Sequence, residues 1–147
     1  DTELLLMNAS RAQLVQQAIR PALAKGTVVL CDRFYDSSLA YQGYGRGLDL
    51  AKVQQAIDLA VGETKPSLTL LLDISLSVSQ ARVSGRQQST GEGGDQFDES
   101  GLAFFERVHA GFHALAKGEP GRYRVIDGAQ PPDAVGQAVW DCVAPLL

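Results

Sequence analysis

Apolar residues from Leu4 through Met7, Leu14, Val15, Ala18 and Ile19 to Ala22 recur at helical spacing, and Gly26 ends the run. This pattern predicts a first helix over residues 2–25, bent before Pro21. The short apolar run at residues 27–30 predicts a buried strand. Asp49 stands where a second helix needs its N-cap, Leu50, Val53, Ala56, Ile57, Ala60 and Val61 mark the inner face of that helix, and Gly62 marks its stop. After a turn at Lys65-Pro66, residues 68–72 are continuously apolar up to Asp73, the signature of a central parallel strand. Ser75 is placed to cap a helix over residues 76–84. Leu102, Phe105, Val108, Phe112, Leu115 and Ala116 trace another helix closed by Gly118, residues 123–126 a third strand, and Val135, Val139, Cys142 and Val143 a last helix. Strands alternating with helices predict an α/β fold, a three-layer parallel sheet with flanking helices and right-handed crossovers. No repeat or low-complexity linker divides it, so residues 1–147 are expected to form a single domain.

Composition narrows the functional classes. The 147 residues are 45% hydrophobic, enough for a core, yet no apolar run approaches the roughly 20 residues of a membrane span. With no apolar leader at the start either, a cytoplasmic protein with no membrane partner is expected. A net charge of −4 without a long basic run argues against nucleic acid as a partner. A small anionic substrate needs only local arginines, and Arg11, Arg33, Arg46, Arg82 and Arg86 are candidates. Cys31 and Cys142 read as buried reduced thiols. His109 and His113 lie one turn apart, but no Glu stands in HExxH register and no third ligand is evident, so they read as a solvated pair and no metal site is assigned.

The densest chemistry comes after the first predicted strand, in CDRFYDSSLAYQGYGRG at residues 31–47. Loops at the carboxyl ends of parallel strands form the ligand crevice of such sheets, and Asp32 and Arg33 stand at that edge. Arg33 offers a planar fork that matches phosphate, which Asp32 could orient; by itself the pair also reads as an ordinary ion pair at a strand end. Ser37, Ser38, Tyr41 and Gln42 then crowd hydrogen-bonding groups together, and Gly43, Gly45 and Gly47 frame Arg46. Met7 and Arg11, four apart on the first helix, share a face. From Arg82 to Asp95 apolar patterning disappears, and the Gly-rich stretch reads equally as a connector or as a mobile lid at about residues 85–97.

The string DRF-x-x-SS-x-AYQG-x-GRGL at residues 32–48 resembles the substrate loop of bacterial thymidylate kinases, P-loop nucleoside monophosphate kinases. The resemblance implies transfer of the γ-phosphoryl group of ATP to dTMP, giving dTDP, with Mg2+ and ATP as cofactors. It further implies that Arg33 holds the acceptor phosphate and that Asp32 organises Arg33 and the metal waters or sugar. Arg11, Ser38 and Gln42 would read the thymine edge, Met7 would stand where the family usually stacks Phe, and Tyr41 would crowd the sugar where a 2′-hydroxyl would lie. Arg82 and Arg86 would close from the lid, Arg86 carrying more of its charge because Gln96 stands where the family has Arg. The loop at residues 127–131, with Gln130, would lie against adenine, and the first helix would help form a homodimer.

No GxxxxGK[ST] occurs in these 147 residues. In the resembling family that loop comes after a strand lying between the counterparts of residues 27–30 and 68–72. The expectation is therefore an incomplete P-loop nucleotide kinase fold, the C-terminal portion of a longer enzyme, inactive alone. Without the intervening strand the two apolar segments would lack a partner, at about 1–3 kcal/mol for each buried unpaired backbone group. Two alternatives stay open: another nucleoside or nucleotide kinase, and a catalytically inactive truncated module that binds nucleotide.

Overall fold

Helix begins at once in a computed structural model of the chain, which describes residues 1–90 and 99–147, with side chains for residues 1–83 and 101–147. The described residues gather into two compact units, residues 1–66 with 107–115, and residues 67–106 with 116–147.

In the first unit, α1 (Thr2–Leu14) runs into a π-helical turn at Val15–Ile19 and then α2 (Arg20–Leu23), ending at Gly26 with φ +72°. The wide turn lies just before Pro21, the position at which the sequence predicts a bend. A proline ring crowds the carbonyl four residues back and offers it no N–H, and a π turn relieves both constraints. A short α3 (Asp36–Ser38) leads into a second π-helical stretch, Leu39–Gly45, and then α4 (Leu50–Val61). As expected, the Asp49 side chain accepts from the N–H groups of Ala51 and Lys52 at 2.8 and 3.3 Å, and Gly62 ends the helix with φ +54°. Arg20 reaches across to that end, donating to the Val61 carbonyl at 3.1 Å and to the Thr64 hydroxyl at 2.8 Å. Val15 and Ile19 pack with Val53, Ile57 and Val61 of α4 and with Leu4, Tyr35 and Leu39. Each such apolar side chain, fully buried, contributes roughly 1.5–3 kcal/mol.

The expected strand at residues 27–30 does not form. The segment has no ladder partner, and Val28 and Leu30 are 60% and 85% exposed. The backbone hydrogen bonds of a strand come only from a neighbouring strand, and none of the described residues supplies one.

In the second unit, β1 (Thr69–Asp73) pairs in parallel with β2 (Tyr123–Asp127), in a register that sets Thr69 beside Tyr123 and Asp73 beside Asp127. Arg122 pins the entry to this pair: it donates to the Thr69 hydroxyl at 2.7 Å, holds Glu119 at 2.8 Å and lies 4.6 Å from the centre of the Tyr123 ring. α5 (Leu76–Thr90) starts at Ser75, whose hydroxyl accepts from the Val78 N–H at 3.3 Å, and its helical backbone continues past the expected end at residue 84. α6 (Glu99–Gly118) contributes its 107–115 stretch to the first unit and its ends to the second. α7 (Pro132–Val143) and a 3-10 turn close the chain. Among the described residues no helix is long and apolar enough to cross a membrane.

Candidate active site

The run of residues expected to be a polar loop is largely helical. Leu39, Ala40, Gln42, Gly43 and Gly45 of the π stretch are buried, because its glycines let neighbours approach where a side chain would stand. A Cβ on Gly43 would fall 2.5 Å from Leu50 Cδ2, and one on Gly111 of α6 would meet Tyr44 at 2.8 Å. Arg107 reinforces the end of the turn by donating to the Gly45 carbonyl at 3.0 Å.

Arg33 opens the run in a left-handed backbone conformation, φ +59°, unusual for a residue with a side chain. Its guanidinium lies over Tyr41, 4.5 Å from the ring centre, and its Nε donates to the Ser37 hydroxyl at 3.4 Å. Ser37 and Tyr41, rather than Asp32, therefore hold the fork, and Asp32 is exposed beside it. An exposed arginine stacked by one face on an aromatic ring keeps the in-plane N–H groups of its fork for an anion.

Arg11 is the second fixed cation. It donates to Asn8 Oδ1 at 2.7 Å, to the Ser38 hydroxyl at 3.2 Å and to the Phe34 carbonyl at 3.2 Å. Burial pulls its pKa below the ordinary arginine value, while Cys31 and Asp36 oppose that shift. Asn8, absent from the sequence-derived site, is 5% exposed and spends its own N–H on the Leu4 carbonyl at 2.9 Å. Met7 is exposed on the same helix. Gln42 is 5% exposed and donates to Glu3 Oε1 at 2.9 Å, while Glu3 Oε2 takes the Arg46 Nε at 2.8 Å. Glu3 is the second residue that the sequence does not mark; it reads there only as an acid in the first turn of a helix.

Cys31 is exposed, not buried as expected, and both cysteines are free thiols. His109 and His113, read as solvated, are half-buried with ring centres 4.6 Å apart.

In the second unit, Arg82 Nη2 donates to the Gly128 carbonyl at 3.1 Å, fastening α5 to the loop after β2. Gln130 turns its amide back onto Asp127 at 2.8 Å, and the Ala129 N–H adds a bond of 2.9 Å. These two hydrogen bonds, Gln130 first, hold the Asp127 carboxyl below the usual aspartate range. The side chain of Arg86, all of Gln96 and most of the expected lid at residues 85–97 lie outside the described residues.

Two fixed arginines, Arg11 on α1 and Arg33 at the head of the 31–47 run, with the Gln42 carboxamide and the Ser38 hydroxyl of that run, suit a ligand with a phosphate and a polar ring edge. Comparison with known proteins points to one family. The family model described as thymidylate kinase matches residues 1–139. The thymidylate kinase of Solidesulfovibrio magneticus is 48% identical over 147 residues, covering 99% of this chain and 70% of that protein. That of Thermomicrobium roseum is 44% identical, covering 100% and 68%. The crystal structure of thymidylate kinase from Ehrlichia chaffeensis superposes with a TM-score of 0.74 at 30% identity, covering 97% of this chain and 64% of that one. The chain thus spans between 64% and 70% of the length of these three relatives.

Proposed function

Because the chain belongs to the thymidylate kinase family and shares its P-loop kinase fold, we propose that the full-length protein transfers the γ-phosphoryl group of ATP to dTMP, giving dTDP. The observation that carries this reading is the loop at residues 32–48, with Arg33 held over Tyr41 and Arg11 fixed between Asn8 and Ser38. Phosphoryl transfer asks little covalent chemistry of a protein; its rate comes from alignment and from neutralising oxygens that gain charge. Arg33 holds the acceptor phosphate, and its stacked geometry supports that role by removing the freedom of the fork before substrate arrives. Arg11, Ser38 and Gln42 face the base, with Met7 as an apolar neighbour, and Tyr41 crowds the sugar.

ATP brings Mg2+ with it, and Asp32, an exposed carboxylate next to Arg33, suits the waters of that ion. Arg82, Arg86 and Gln130 serve the donor nucleotide, Arg82 from α5 and Arg86 from a lid at about residues 85–97. The two units belong to one kinase domain in this reading. Its setting is the cytoplasm, for which two free thiols speak. A homodimer through α1 is part of it, supported by Leu5 and Leu6, both more than half exposed on that helix. Light scattering of the full-length protein tests the dimer.

The function is tested by following dTDP formation from ATP and dTMP. The full-length protein turns over, and Arg33→Ala loses about 100-fold or more in kcat with an unchanged circular dichroism spectrum. Near-normal turnover in that variant would show that Arg33 does not hold the acceptor phosphate.

A further inference from the structure

A carboxamide can point either end at a ligand, and what lies behind it decides which. The Gln42 amide is backed by Glu3, and a carboxylate only accepts hydrogen bonds. The Gln42 NH2 must therefore face Glu3, as the 2.9 Å contact between Nε2 and Oε1 has it, which leaves the carbonyl oxygen as the end free to turn elsewhere. Glu3 itself is held: its other oxygen takes the Arg46 Nε at 2.8 Å, and the Arg46 backbone N–H donates to the Tyr41 carbonyl at 2.9 Å, so the clamp closes on the same turn that carries Gln42. Gln42 is buried, where an amide turned the wrong way finds no water to make good the loss.

We infer that Glu3 is a specificity-setting positioning residue, which fixes the Gln42 amide with its oxygen toward the base and so selects a pyrimidine whose ring nitrogen carries a hydrogen. The inference rests on the reading of this loop as the acceptor-nucleotide site. Thymine and uracil present N3–H, a donor to that oxygen. Cytosine presents a bare N3, which meets the oxygen lone pair to lone pair. Accepting cytosine requires the amide to flip, and the flip drives its oxygen against the Glu3 carboxylate.

The experiment is steady-state kinetics of the full-length protein with ATP and, in turn, dTMP, dUMP and dCMP. Glu3→Gln keeps the shape of the side chain but pairs with Gln42 in either orientation. Its expected result is a fall of about tenfold in the preference for dTMP over dCMP in kcat/KM, with the preference for dTMP over dUMP unchanged. Glu3→Ala, which removes the backing group, carries the same expectation and serves if the first variant does not fold. An unchanged dTMP to dCMP preference overturns the inference. So does a parallel fall in both preferences, because a merely loosened loop loses grip on the methyl and the ring nitrogen alike. If the unsubstituted protein phosphorylates dTMP and the variants keep their discrimination, the inference fails alone; if it does not phosphorylate dTMP, the functional reading has failed first.

Discussion

Asn8 is a buried amide in a helix, spending its donor on the Leu4 carbonyl and its acceptor on Arg11. Asn8→Leu keeps the approximate volume but removes that acceptor. KM for dTMP is expected to rise about fivefold to tenfold with little change in kcat, since the group acts on Arg11 and not on the phosphate. At the other end of the chain, Gln130→Ala should return the Asp127 pKa toward its ordinary value, about 3.9, as followed by NMR titration. The sign is fixed by the depressed pKa. Asp127 stabilises the fold above its unfolded value and loses that contribution as pH falls through the lower folded value, so the variant is expected to lose less stability on acidification than the parent. At this scale Arg11, Arg33, Ser38 and Gln42 could be singled out in advance as polar groups crowded at close spacing, and the structure sets Arg11 on Ser38 and Arg33 against Ser37 and Tyr41. Asn8 and Glu3 could not be singled out, because an amide and an acid on a helix look alike whether they face water or hold a neighbour.

Elements were legible where local chemistry sets them. Asp49, Gly62 and Ser75 act as the caps and stops their types announce, and β1 and β2 fall within a residue or so of the apolar runs. Residues 27–30 failed because strand character lies in the partner, not in the segment. The π turns failed for a different reason, since an extra residue per turn leaves no mark in an apolar period. Gly111 shows how far contacts outweigh propensity. Alanine is the better helix former by about 1 kcal/mol, yet a Cβ there meets the Cβ, Cγ and Cδ2 of Tyr44 at 2.8 Å, atoms that cannot swing away. Gly111→Ala is expected to destabilise by about 1–3 kcal/mol in urea unfolding. Gly43→Ala meets only the end of the half-exposed Leu50 side chain and should cost under about 1 kcal/mol.

For the molecule as a whole, the net charge of −4 and the fixed arginines belong together. A mildly acidic surface gives no general attraction for polyanions, so a phosphate must be caught locally, by cations held in place in advance. The donor half of the chemistry has no P-loop within these 147 residues. The 147-residue chain is accordingly expected to form no detectable dTDP from ATP and dTMP under conditions where the full-length protein does, a comparison made in one coupled assay at matched concentration.

The π stretch at Leu39–Gly45 bears on insertions and deletions. A π turn is an α-helical turn lengthened by one residue, so its side-chain directions depend on a count as well as on a composition. Deleting Ala40 would let the turn relax to ordinary helix while rotating Tyr41, Gln42 and their successors by roughly 100° relative to Ser38. Every residue type of the stretch would survive, but Gln42 would no longer keep its present direction relative to Ser38. Sequence changes that shorten this segment by one position are thus more damaging than most replacements within it.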